Sequence, residues 1–311
     1  MSFFGNMMNN YYYGKAGQGD YTVESMPQNR RQLFGEVFKV RWSALFGVNL
    51  LYMIAWIPAL IWMFINLATF MNLFALEDST GTLQDLYGLL TSFLMILFPL
   101  TAITGPFKAG MAYVLRNWAR DEHSFVVSDF KDALKANWKQ ALGVSLIDGI
   151  MPLLLYVCWY YYGGMISNSY LFMVPMGLVF LVALVWYLAH SVIYTMMVTY
   201  DLKFKDLIRN AVLLVMAKLP HVMGLKLLTF VVPVAGIALA FLIPSIQGYV
   251  LIVLAVLYVF YLPAFNNLIH ASTANWLCET YLNPKIEGAP TGVGLRPENW
   301  DDVEYIPEDD E

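Results

Sequence analysis

Charged side chains are scarce in this 311-residue chain: Asp, Glu, Lys and Arg make up 13%, against 59% hydrophobic residues. A soluble fold of this length could not bury so much apolar surface, so the bilayer must be the solvent for much of the chain. Cysteine is nearly absent. Cys158 and Cys278 are the two, and the spans read below put them on opposite sides of a membrane, which excludes a disulfide framework. Also missing are HExxH, CxxC, GxSxG, a P-loop and a kinase signature. Gly14 to Gly19 has neither a preceding strand nor the spacing of a nucleotide-binding loop. The four histidines, His123, His190, His221 and His270, fall on four different segments without close carboxylate spacing. The chain is therefore read as non-enzymatic, with no cofactor and no metal site.

What is present is a set of long apolar runs. Six are read, at 42–76, 86–105, 141–163, 170–200, 221–244 and 248–270. The first is 35 residues, about 52 Å as a helix, against a hydrocarbon core of about 30 Å. It must tilt, kink or emerge, and Pro58 is the natural kink. Of the 18 Lys and Arg residues, 17 lie in the termini and in alternate connections and Lys226 lies near the start of the fifth run, while 77–85, 164–169 and 245–247 contain none. That asymmetry predicts an all-α membrane protein of six transmembrane helices with both termini cytoplasmic. Residues 1–41 are expected to form a polar, aromatic arm and a short basic leading helix, and 42–282 the membrane domain. From 283 to 311 the chain has nine acidic and two basic residues and no apolar period, so a disordered acidic tail is expected.

The stretch 99–142 holds six of the Lys and Arg residues between apolar runs, and reads as a water-facing or surface-lying connection. Met111, Val114, Leu115 and Trp118 recur at helical spacing, and so do Phe130, Leu134, Trp138 and Leu142 beside a stripe of Lys131, Lys135 and Lys139. Ser128 or Asp129 is placed to cap the second of these helices. Residues 201–219 repeat the theme with Phe204, Leu207, Ile208, Val212 and Val215. Amphipathic basic helices of this kind suit an anionic inner leaflet or a cytoplasmic partner. Because the chain is net acidic and membrane-bound, phospholipid rather than nucleic acid is the expected polyanion. A weak repeat also appears. Trp42, Trp138 and Leu219 each precede Gly by five positions (Gly47, Gly143, Gly224) and are followed by Pro58, Pro152 and Pro233. Pro106 leads to Asn117-Trp118 as Pro263 leads to Asn275-Trp276, which suggests three related helical hairpins.

Polar side chains inside the spans are the candidate site. Asn49, Asp148, His190, Lys226, Asn266, Asn267 and His270 all fall in the cytoplasmic halves of their helices. Asp148 is expected to face the bundle interior and to contact Lys226 or His190, with Asn49 and Asn267 nearby, because an unpaired charge at the bilayer centre is costly.

Gly105-Pro106, Ala109-Gly110, Tyr113-Val114-Leu115-Arg116, Trp118-Ala119-Arg120-Asp121-Glu122, Phe130-Lys131 and Lys139-Gln140-Ala141 carry a family resemblance. Together with the aromatic, Gly-rich arm and Leu50-Leu51-Tyr52, they make the chain similar to the YesL family, domain of unknown function 624, over about residues 1–160. The resemblance implies a bacterial polytopic protein of the cell (inner) membrane, of a kind whose genes often stand beside carbohydrate uptake systems of the ATP-binding-cassette type. It supplies no activity and no catalytic residues. An accessory or scaffold subunit working with transporter permease subunits is the expectation, with a small-solute transporter or channel using a cytoplasm-facing polar cavity as the alternative.

Overall fold

The computed structural model describes residues 26–74 and 83–296. The expectations for the aromatic arm, for most of the 77–85 loop and for the acidic end of the tail fall on residues 1–25, 75–82 and 297–311, outside the described ones.

Among the described residues all regular structure is helical. The helices are α1 (Arg30–Arg41), α2 (Ala44–Met53), α3 (Ile57–Phe74), α4 (Leu83–Ala102), α5 (Thr104–Trp118), α6 (Val126–Met165), α7 (Met173–Met197), α8 (Phe204–Ala217), α9 (Leu219–Leu228), α10 (Val231–Leu242), α11 (Gln247–Phe260) and α12 (Leu262–Tyr281). Four stretches are long and apolar enough to cross a bilayer: Ala44–Leu73, Leu83–Ala102, Val126–Met165 and Tyr170–Met197. The count reaches six if α8–α9, bent by 93°, and α10–α11, bent by 116°, are each one span. Large apolar side chains point outward along these helices; Phe64 is 71% exposed and Phe241 76%. Such a surface is stable only against lipid. This is an all-α membrane protein.

Local chemistry sets the breaks. A 3-10 turn at Ile54–Trp56 separates α2 from α3 just ahead of Pro58, whose missing N–H removes a helical hydrogen bond. The expected run 221–244 is interrupted between α9 and α10, where Thr229 Oγ1 donates to the Lys226 carbonyl at 2.6 Å and Pro233 opens the next helix. The expected run 248–270 breaks at Tyr261, and Pro263 occupies the first turn of α12.

Two expectations need correction. The first is the surface-lying connection at 99–142. Its first helix, α5, is instead the most enclosed part of the molecule: Ala109, Met111, Val114 and Leu115 are fully buried and Trp118 nearly so. Gly105 and Gly149 explain how it gets there. A Cβ at Gly105 would lie 2.2 Å from Ser145 Oγ, and one at Gly149 2.3 Å from Thr101 Oγ1. The missing side chains let α4, α5 and α6 close to backbone contact, and Ser145 Oγ donates to the Ala102 carbonyl at 2.6 Å across that seam. The second is the separate interfacial helix before the third span. Nothing between Val126 and Met165 breaks the helix, so α6 runs 40 residues without interruption, about 60 Å. Asp129 does help to start it, accepting from Ser124 Oγ at 2.6 Å and from the Phe125 N–H at 2.9 Å.

The core has two apolar clusters that share α5 and α12. One gathers Ile193, Met196, Leu207, Val215 and Leu277, and the other Leu33, Leu45, Met111, Leu115 and Leu268. Residues 283–296, expected to begin the disordered tail, fold back on α1. Arg30 Nη1 donates to the Val293 carbonyl at 2.8 Å, and the Arg296 N–H to the Pro27 carbonyl at 3.0 Å. Asn49, Ser145 and Lys226, each two residues after the glycine of the suggested repeat, are all buried.

Candidate functional site

Trp186, His190 and Tyr194 recur every four residues on α7, so they share one face, and that face meets α5 and α6. Asp148 of α6 reaches it with both carboxylate oxygens. Trp186 Nε1 donates to Oδ1 at 2.8 Å, and His190 Nε2 stands 2.9 Å from Oδ2. Lys108, carried in on α5 three residues after Gly105, sets its ammonium 2.9 Å from His190 Nε2 and 3.3 Å from Nδ1. A proton on Nε2 serves Asp148 and leaves Nδ1 as the ring nitrogen that can accept from Lys108. The Lys108 ammonium also lies 5.0 Å from the centroid of the Tyr194 ring.

A second group adjoins the first. Lys226 of α9, only 6% exposed, stands 3.4 Å from His270 Nε2 on α12 and 4.4 Å from the centroid of the Tyr187 ring. The charges of Lys108 and Asp148 reach Lys226, and those of Lys226, Lys108 and His190 reach His270. Four of the seven residues singled out in the sequence, Asp148, His190, Lys226 and His270, thus converge. Asp148 pairs with His190, as expected, and Lys226 pairs with His270 instead.

The other three do other work. Asn49 Nδ2 donates to the Val259 carbonyl at 2.7 Å and the Tyr258 carbonyl at 3.3 Å, while its Oδ1 accepts from the Ala264 N–H at 2.8 Å. It splices the broken α11–α12 junction. Asn267 Nδ2 donates to the Pro263 carbonyl one turn back at 2.8 Å, and Asn266 is half-buried on the same helix. Lys108 is the member that sequence reasoning missed. Its signal was the small-residue context Gly105, Ala109 and Gly110, which marks a helix built for close packing rather than for the surface.

A different polar network closes the end of α12. Arg30 pairs with Glu279, and Tyr200 Oη donates to Asn283 Oδ1. Burial pushes the Cys278 thiol up to about 12 and raises the Tyr200 hydroxyl too. At the end of α5, burial first and Arg120 second hold Arg116 below the usual guanidinium range, against the pull of Glu122. Both cysteines are free. Among the described residues no group of three His, Cys, Asp or Glu side chains could hold a metal ion.

The family model described as "Protein of unknown function, DUF624" matches residues 44–159, a span that contains α5 and the Asp148 segment of α6. No curated protein and no solved structure matches the chain.

Proposed function

We propose that this chain, which belongs to the DUF624 family through residues 44–159, is a multi-pass protein of the bacterial cell (inner) membrane. In this reading both termini are cytoplasmic. The protein works, without catalysis of its own, as an accessory or scaffold subunit beside a carbohydrate uptake system of the ATP-binding-cassette type. The observation that carries a docking role is α6. At about 60 Å it is twice the hydrocarbon thickness, so about half of it stands outside the bilayer. Lys131, Lys135 and Lys139 are exposed on the outer half, next to a 580 Å³ cleft lined by Trp138, Gln140, Thr199 and Asp201. A basic arm in that position fits an acidic face of a permease or its ATPase, steadied by anionic inner-leaflet lipid. The placement of the cations on one side supports the cytoplasmic assignment of the termini.

Affinity purification from native membranes tests this reading. Permease subunits should copurify with the wild type and be lost when Lys131, Lys135 and Lys139 are changed to Glu, with membrane insertion intact. For orientation, Cys158 is first replaced by Ser. A cysteine at Ser167 should then react with an impermeant thiol reagent outside intact cells, and one at Ser128 should not. The reverse labelling pattern refutes the cytoplasmic assignment. The half-buried Asp148–His190–Lys108 group and the Lys226–His270 pair favour a second reading, a small-solute transporter. Flux through the purified protein alone in proteoliposomes would select it.

A further inference from the structure

We propose that the bundle interior between Lys108 and Lys226 binds a small singly charged anion, a halide or a carboxylate. This goes beyond the scaffold reading and does not depend on it. The first support is a charge imbalance. Two ammonium groups, Lys108 and Lys226, and two imidazoles, His190 and His270, form one electrostatically connected group, with Asp148 as the carboxylate that reaches Lys108, Lys226 and His190. Both oxygens of that carboxylate are already engaged, by Trp186 and His190. Lys226 therefore stays buried beside an imidazole and an aromatic face, without a carboxylate in contact among the described residues.

The second support is an excess of donors. The Tyr194 hydroxyl is buried with no hydrogen-bond partner among the described residues, on a ring packed against both His190 and Lys108. Lys226 has three N–H bonds and one nitrogen acceptor, at 3.4 Å. A site with spare donors and spare positive charge among packed helices is completed by an anion. A cation would worsen the imbalance, and a neutral sugar would leave it in place. The rival explanation is that Lys226 sheds its proton and needs no counter-ion.

The experiment uses the full chain in detergent, melted at constant ionic strength while sodium chloride or sodium acetate replaces sodium gluconate, a much bulkier anion. The midpoint should rise saturably with chloride or acetate, by the mass action of a ligand that binds only the folded state. A response to chloride alone assigns a halide, and one to acetate alone a carboxylate. Y194F, which deletes one buried oxygen, should weaken half-saturation about tenfold, the loss of one hydrogen bond to a charged group. K226M should abolish the response; if that variant does not fold, Y194F still decides. A wild-type midpoint indifferent to the anion, or a response that Y194F leaves unchanged, overturns the proposal.

Discussion

His190 Nε2 lies 2.9 Å from Asp148 Oδ2, and the Lys108 ammonium lies 2.9 Å from Nε2 and 3.3 Å from Nδ1 of the same imidazole. One ring thus relays a carboxylate on α6 to an ammonium on α5 while itself standing on α7. Three helices meet through two contacts, in a place where no bulk water can replace either.

The first prediction follows from that relay. Asp148→Asn should lower stability by about 1–3 kcal/mol, less than the cost of breaking a fully buried pair because Asp148 and His190 are half-buried. Adding Lys108→Met should recover part of the loss, since it removes the orphaned cation, while Lys226→Met should recover less, because Lys226 leans on His270. Denaturant unfolding in mixed micelles measures all three. Equal rescue by both lysine changes would show that Asp148 neutralises the two cations together rather than through His190.

Much of this cluster was legible in the sequence, for a simple reason. Asp148, His190, Lys226 and His270 stand out because few polar residues interrupt the apolar runs, and an isolated charge in a span needs a partner. Lys108 was hidden by its neighbours. It follows the last apolar residues of α4, where a lysine obeys the positive-inside rule whether or not it is buried. The enclosure of α5 was hidden too. Its large side chains mark one face, but Gly105, Ala109, Gly110 and Ala112 let the other face pack as closely, and that depends on helices distant in sequence. For α6, the stripe of Lys131, Lys135 and Lys139 suggests a separate helix ahead of the run 141–163, yet no residue there breaks the helix.

The close approach of α5 to α6 gives a paired test. Gly105→Ala puts a methyl 2.2 Å from Ser145 Oγ and 2.3 Å from the Ala141 carbonyl, and should destabilise by about 1–3 kcal/mol through forced repacking. Gly47→Ala has open space within 4 Å, so it should be neutral or stabilise by up to about 1 kcal/mol from helix propensity. Melting midpoints of the two variants should move apart. If both fall together, Gly47 has a packing partner outside the chain.

Cys278 should be silent to alkylating reagents while the protein is folded. It is 4% exposed, and its thiol is pushed up to about 12, chiefly by burial, so the reactive thiolate is absent at neutral pH. The sign for stability follows. The folded state holds the proton more tightly than the unfolded chain, whose thiol titrates near 9. This contribution is therefore complete below pH 9 and fades as the pH rises from 9 toward 12. Mass spectrometry after maleimide treatment should find label on Cys158 before Cys278, with Cys278 modified only on unfolding. Rapid labelling of Cys278 in the folded protein would contradict its buried placement.

Asn49 offers the sharpest contrast between a polar residue that holds the fold and one that only decorates a helix. At the α11–α12 junction the last carbonyls of one helix and the first N–H groups of the next have no helical partners. Pro263 cannot contribute an N–H at all. The Asn49 amide fills the gap from both sides, donating to the Val259 and Tyr258 carbonyls and accepting from the Ala264 N–H. In lipid no water stands ready to replace it. Asn49→Ala should therefore cost about 2–4 kcal/mol, more than one buried group left unpaired. Asn49→Asp should cost at least as much, because it keeps the acceptor but loses the donor and faces two carbonyls with a charge. Asn267 bonds only to the Pro263 carbonyl four residues back on its own helix, so Asn267→Ala should cost less than about 1 kcal/mol. Unfolding free energies of the three variants decide the matter. If Asn267→Ala proves the costlier change, Asn49 is not what holds the two helices in line.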